Sequence, residues 1–254
     1  LGILIAFFGW RTSYQLLAII LGLITLLVII LLKPPIDRKD NVASTDYSGG
    51  DRLPQRIQFL FSNKVFIPLF GAFTLCGFTT AGVIDVYFVP YAISSGYTLV
   101  EASTAYGIHG VGNLIGVILF SWLADQVNRP RLLALMFFLR ALTFILLIFI
   151  STDLNLMFVF AVIFGVLNFA TFPVIANIVA THIGVGIIGL TLGLLFGGHS
   201  LGAAVGAFIG GWIFDLTAQH LWIWWLSFFL AILAGSFALL VKENRLTQER
   251  TSPA

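Results

Sequence analysis

Four ionisable side chains stand inside long apolar stretches of this sequence: Asp85, His109, Arg140 and His199. Such groups are costly in hydrocarbon, and they mark solute, ion or proton pathways by default. A carboxylate beside an imidazole is suited to proton exchange near neutral pH, so Asp85 and His109 are expected to face each other or a shared aqueous cavity. The alternative for either residue is a hydrogen bond to a backbone carbonyl. At 1.5 Å per helical residue, Asp85 lies about 14 Å and His109 about 12 Å from the outer ends of their spans. His199 lies about 20 Å from the inner end of its own span, which puts all three at similar depth in the outer half of a membrane. Arg140, about 13 Å from Arg131, falls near the midplane. It either binds an anionic solute or braces the helices by pairing with backbone carbonyls or Asp125, and bracing is the expected role.

Neutral polar groups accompany these four on three spans: Tyr87, Tyr91, Tyr106, Asn113, Asn168, Thr171 and Asn177. Most are expected to make interhelical hydrogen bonds, each worth about 0.6 kcal/mol. Tyr87, Tyr91, Asn113 and Asn168 join Asp85, His109 and His199 as candidates for a substrate or proton pathway. His199 interrupts two overlapping glycine ladders at four-residue spacing, Gly189, Gly193, Gly197 and Gly198, Gly202, Gly206, Gly210. Residues four apart share a helix face, and a face without side chains lets a neighbouring helix approach closely. Pro90 and Pro173 are expected to kink their helices.

These residues are carried by a membrane protein. Only 9% of the 254 residues are charged and 59% are hydrophobic, with mean hydropathy +1.03; soluble domains carry about 25% charged residues. A net charge of +2 without a basic, aromatic-interleaved patch gives no support to nucleic-acid binding. The single cysteine, Cys76, has no internal disulfide partner. His182 and His220 lie near span ends, and no spacing resembles a zinc or haem site. No phosphate-cradling loop with Lys and Ser/Thr occurs. No cofactor, no metal and no enzymatic activity are therefore expected.

The spacing of apolar runs predicts an all-α membrane protein. The sequence opens on LGILIAFF, expected to be the tail of a helix whose beginning lies outside the sequence, and Gly9-Trp10-Arg11 is expected to turn tightly. A full span over 14–32 ends at Lys33-Pro34-Pro35. A polar linker over 33–64 follows, with a flexible middle, NVASTDYSGGD, and a short amphipathic piece over 56–61 on the membrane surface. Six further spans are expected over 65–94, 102–124, 132–150, 155–179, 185–215 and 221–241, then a polar tail over 242–254. Four regions result: the end of one helix bundle over 1–32, the linker, a six-helix bundle over 65–241 and the tail. Eleven of the 13 Lys and Arg residues fall on one side when every span crosses once, which makes the linker, the 125–131 loop and the carboxyl terminus cytoplasmic.

This arrangement resembles the carboxyl-terminal half of a major facilitator superfamily transporter. The resemblance rests on six spans after a basic linker, on Gly9-Trp10-Arg11, and on the loop SWLADQVNRPRLLAL over 121–135. In that loop Asp125, Arg129 and Arg131 match the family's cytoplasmic gating motif, while Ser121, Gln126 and Asn128 depart from its glycine, arginine and glycine. Tyr87 to Gly116 and Gly189 to Thr217 are most similar to carriers of the monocarboxylate and oxalate/formate type. The Asp–Arg pair of animal monocarboxylate carriers has no counterpart in the 102–124 span.

The resemblance implies two six-helix bundles that rock about a central site, a missing amino-terminal bundle as partner, and a small organic solute such as a monocarboxylate. It implies that the spans of Asp85, His109, Asn168 and His199 line the cavity and that the 132–150 and 221–241 spans are peripheral. Protons are a candidate coupling ion, and the plasma membrane is the expected location. A non-transporting receptor or accessory protein on the same fold is the alternative.

Overall fold

The computed structural model describes residues 2–31, 52–149 and 153–242. Among them the secondary structure is helical throughout, and seven segments are long and apolar enough to cross a membrane: Arg11–Leu31, Phe66–Ser94, Leu99–Ala124, Arg129–Phe149, Leu154–His182, Val185–Thr217 and Leu221–Leu240. The flexible middle of the linker and the tail beyond Lys242 lie outside the described residues.

Helix α1 (Gly2–Leu31) is continuous except at Gly9, whose φ of 73° is open to glycine and strained for other residues. The expected turn is thus a kink within one helix. Helix α2 (Leu53–Ser62) carries the amphipathic piece, with Pro54 in its first turn, where a missing N–H costs nothing. Asn63 ends it and accepts from the Val65 amide through Oδ1 at 2.8 Å, which redirects the chain into the first span of the bundle.

That span has three parts: α3 (Phe66–Gly77), a π-helical segment (Phe78–Ile84) and α4 (Asp85–Ser94). A π segment widens the backbone by one residue and shifts the angular register of everything beyond it, and such bulges cluster at functional sites. Thr80 Oγ1 donates to the Cys76 carbonyl at 2.7 Å, and Thr79 Oγ1 donates at 3.1 Å to the same oxygen, satisfying a carbonyl where the ladder changes pitch. Asp85 follows directly. Pro90 lies within α4, and the irregularity of this span is the π segment rather than the proline.

Helix α5 (Leu99–Ala124) starts at a capping box in which Thr98 and Glu101 satisfy each other's backbone amides. Helix α6 (Arg129–Phe149) begins at Asn128, whose Oδ1 accepts from the Arg131 amide at 2.9 Å. The fourth span is broken into α7 (Leu154–Asn168) and α8 (Thr171–His182). After a short 3-10 turn (Val185–Ile187), α9 (Ile188–Thr217) and α10 (Leu221–Leu240) complete the bundle.

The first span packs mainly on the fifth, the second on the fourth, and the third on the sixth. Exchanging the first three spans with the last three leaves these pairings unchanged. Glycine permits the first two pairings. A Cβ on Gly77 would strike the backbone of His199, and one on Gly202 or Gly206 would strike the backbone of Thr74 or Phe78. In the exchanged position, Gly112 and Gly116 on α5 press against Gly165 and Val166 on α7, and Gly165 presses in turn on the His109 carbonyl. The two ladders on α9 therefore differ. Gly198, Gly202, Gly206 and Gly210 face the first span, whereas Gly189, Gly193 and Gly197 have nothing within 4 Å among the described residues.

Candidate functional site

A cavity of about 680 Å³ opens between the first, second, fourth and fifth spans. Its lining includes Thr80 and Asp85 from the first span, Asn113 from α5, Asn168 and Thr171 at the helix break, and Phe196 and His199 from α9. Neither α6 nor α10 contributes to it.

The break between α7 and α8 supplies much of its polar character. Pro173 stands in the first turn of α8 and has no N–H for the Phe169 carbonyl, which accepts from the Phe172 amide at 3.1 Å instead. The Phe169 amide donates to Asn113 Oδ1 at 3.1 Å, and Thr171 Oγ1 donates to the Asn168 carbonyl at 3.0 Å. His109 Nε2 lies 3.2 Å from Asn168 Nδ2. With the amide as donor, the imidazole accepts at Nε2 and carries its proton on Nδ1.

Arg140 is wholly buried on the far side of this break. Its Nη2 donates to the carbonyls of Leu167 at 2.6 Å and Asn168 at 2.9 Å, and its Nη1 donates to Cys76 Sγ at 2.9 Å. The guanidinium also lies over the rings of Phe137, at 5.3 Å, and Phe164, at 5.8 Å. A helix C-terminus leaves carbonyls without amide partners, and the guanidinium fork meets two of them at once. The geometry is that of a brace, and the acceptors are backbone carbonyls rather than Asp125.

Asp85 and His109 do not touch. Tyr106 stands between them: its hydroxyl donates to Asp85 Oδ1 at 2.9 Å, and its ring lies 5.3 Å from the His109 ring. Asp85 is exposed to the cavity, whereas His109 is buried behind it. His199 lies on the aromatic side, its ring 4.7 Å from the Phe73 ring.

Other sequence candidates lie elsewhere. The Tyr87 hydroxyl donates to the Ala207 carbonyl and Tyr91 donates to the Leu147 carbonyl at 2.7 Å, so both tie helices together towards the Ser94 end of the first span. Both rings also border His220, which sits 5.4 Å from Tyr91 and 4.5 Å from Phe214. Burial pushes the His220 imidazole below its ordinary value. At the opposite end Asp125 Oδ1 accepts from Asn177 Nδ2 at 3.2 Å, joining the α5–α6 loop to α8. Arg129 is buried and Arg131 exposed. Three features escaped sequence reasoning: the π segment, the Gly112–Gly116–Gly165 crossing and the bridging role of Tyr106. Only the crossing left a signal, as small residues four apart on α5.

Comparisons with known proteins agree with this architecture. The family model described as Major Facilitator Superfamily matches residues 1–153 and 86–254. The chain is 30% identical over 223 residues to a Bacillus subtilis (strain 168) protein named uncharacterized MFS-type transporter YcxA, covering 85% of this chain and 52% of that protein. It is 30% identical over 171 residues to monocarboxylate transporter 12 of Mus musculus, covering 64% of this chain and 35% of that one. Monocarboxylate transporter 13 of Rattus norvegicus is 29% identical over 165 residues, 61% of this chain and 37% of the relative. The chain thus spans about half the length of the first relative and about a third of the others.

Proposed function

The chain belongs to the major facilitator superfamily, and on that footing we propose that it forms part of a secondary active transporter moving a small organic solute by alternating access. The superfamily is one of transporters rather than enzymes, and the seven apolar helices make this an integral, multi-pass membrane protein. The observation that carries the proposal is the 680 Å³ cavity, bounded by the break in the fourth span and by the π segment of the first. Many secondary transporters build their solute sites from interrupted helices near the middle of the membrane. Asp85, Asn113, Asn168 and His199 line the solute and proton pathway, and His109 stands behind them, hydrogen-bonded to Asn168.

The finer parts of the reading are these. A second, amino-terminal bundle closes the cavity from the opposite side. Asp125, Arg129 and Arg131 form a cytoplasmic gate, which the Asp125–Asn177 bond supports by joining two spans at that end. The names of the relatives make a monocarboxylate or other organic anion the first candidate solute, with protons as coupling ion. The distribution of Lys and Arg supports a cytoplasmic carboxyl terminus, and the plasma membrane is the proposed location. Uptake by proteoliposomes holding the natural gene product tests the proposal: saturable flux is expected, and its absence across a broad panel of organic acids and amines would contradict transport.

A further inference from the structure

Aromatic side chains from three different spans meet at one wall of the cavity. Phe73 comes from α3, Phe172 from α8 and Phe196 from α9, and all three line it. Phe196 contacts both of the others, its ring centred 5.5 Å from Phe73 and 5.2 Å from Phe172. His199 extends the wall, with its ring 4.7 Å from Phe73 and 6.5 Å from Phe196. Phe73 is 4% exposed and backs the wall, whereas Phe172 at 38% and Phe196 at 45% present open ring surface.

Apolar surface facing an aqueous cavity is unfavourable until something apolar covers it. A further ring at the usual spacing of about 4.5–7 Å gains edge or offset contacts beyond the area it buries. Among the described residues no lysine or arginine lines the cavity, and Arg140 is spent on the helix break. Apolar contact is therefore a principal source of affinity that these spans offer a solute. The volume of about 680 Å³ falls within the range of roughly 300–1,000 Å³ typical of sites for drug-sized ligands, more than a three-carbon acid fills. The other occupant such rings could have is a side chain of a second bundle. The wall, however, is recessed between spans and shares its cavity with Asn168 and Thr171, polar groups that suit the polar end of a solute.

We propose that the transported solute carries an aromatic ring, which this wall receives through Phe172 and Phe196. The proposal rests on the transport reading and narrows its solute from a small organic molecule to an aryl-bearing one.

The test is uptake by proteoliposomes containing the natural gene product, with flux into protein-free vesicles subtracted. Radiolabelled pairs share a polar group and differ by one phenyl ring: propanoate with 3-phenylpropanoate, alanine with phenylalanine, and ethylammonium with 2-phenylethylammonium. In at least one pair the aryl member should half-saturate at a concentration roughly tenfold lower, the worth of burying one ring. Phe196→Leu and Phe172→Leu keep an apolar side chain and remove the ring, and each should reduce that preference about threefold. The two variants give independent readings should one of them fail to fold. Phe229→Leu removes an exposed ring of α10 that does not line the cavity, and should leave the preference unchanged. An aryl member that binds no more tightly than its small partner in every transported pair overturns the proposal while leaving transport intact. So does an aryl preference that survives in the folded cavity variants, the result expected if these rings pack against a second bundle, or one that falls equally in Phe229→Leu. Saturable uptake of no member of any pair would instead contradict the transport reading itself.

Discussion

Arg140 Nη2 stands 2.9 Å from the carbonyl oxygen of Asn168, at the end of α7 where the helix provides that carbonyl with no amide of its own. The bond explains how an apolar bundle tolerates both a broken span and a buried cation. The charge is met by helix-end carbonyls and a polarisable sulfur, and the helix end is met by the charge. Asn168 thereby keeps its side chain free for His109 and its backbone at the cavity edge.

Replacing Arg140 by methionine, similar in reach and lacking donors, should therefore destabilise the protein by about 1–3 kcal/mol, because the buried Leu167 carbonyl loses its donor and the Asn168 carbonyl keeps only Thr171 Oγ1. Arg140→Lys should recover only part, since one ammonium cannot reproduce a planar fork. Denaturation in detergent micelles checks the order: native above lysine above methionine.

The contrast between the α9 glycine ladders gives a second expectation. Gly202→Ala and Gly116→Ala each push a methyl group into the backbone of a neighbouring helix and should cost about 1–3 kcal/mol. Gly189→Ala and Gly193→Ala meet nothing within 4 Å and should leave the fold of this chain unchanged. The yield of monodisperse protein after extraction separates the pairs. Close packing at all seven glycines would appear as equal losses.

The Tyr106 bridge separates two histidine roles. His109→Gln preserves a side-chain acceptor for Asn168 and should change uptake less than about threefold, with its pH dependence kept. His199→Gln, at the cavity wall, should lower the initial rate of uptake by more than that factor. Initial rates between pH 5.5 and 8 distinguish these outcomes.

His220 provides a pH effect on stability. Its folded pKa lies below the ordinary value because burial disfavours the charged form. The unfolded chain therefore takes up a proton first, near pH 6.5, and stability falls as the pH drops from there towards the folded value, then levels off. His220→Phe should remove this component, and the difference in melting temperature between pH 7.5 and 5.5 should shrink.

The sequence made the spans plain because uninterrupted apolar runs have few alternative readings. The ladder from Gly198 to Gly210 was equally visible, since four glycines at one spacing mark a helix face. The partners of Arg140 were not, because backbone carbonyls have no residue code. The π segment was hidden for a related reason: nothing in FTTAGVI distinguishes a widened turn from an α-helical one. The Tyr106 side chain between Asp85 and His109 was hidden as well, because depth along two spans does not say which side chain stands between them.

The central claim is that solute passes through the cavity between the π segment and the broken fourth span. Ala81 lines it without a hydrogen-bonding role, so Ala81→Trp fills the space and leaves the polar network in place. The decisive measurement is the initial rate of saturable uptake by proteoliposomes containing native or Ala81→Trp protein, each first shown to be monodisperse. The account predicts that uptake falls by about tenfold or more, the effect of removing roughly 1.4 kcal/mol or more of solute binding. Undiminished uptake by a well-folded Ala81→Trp protein would contradict it.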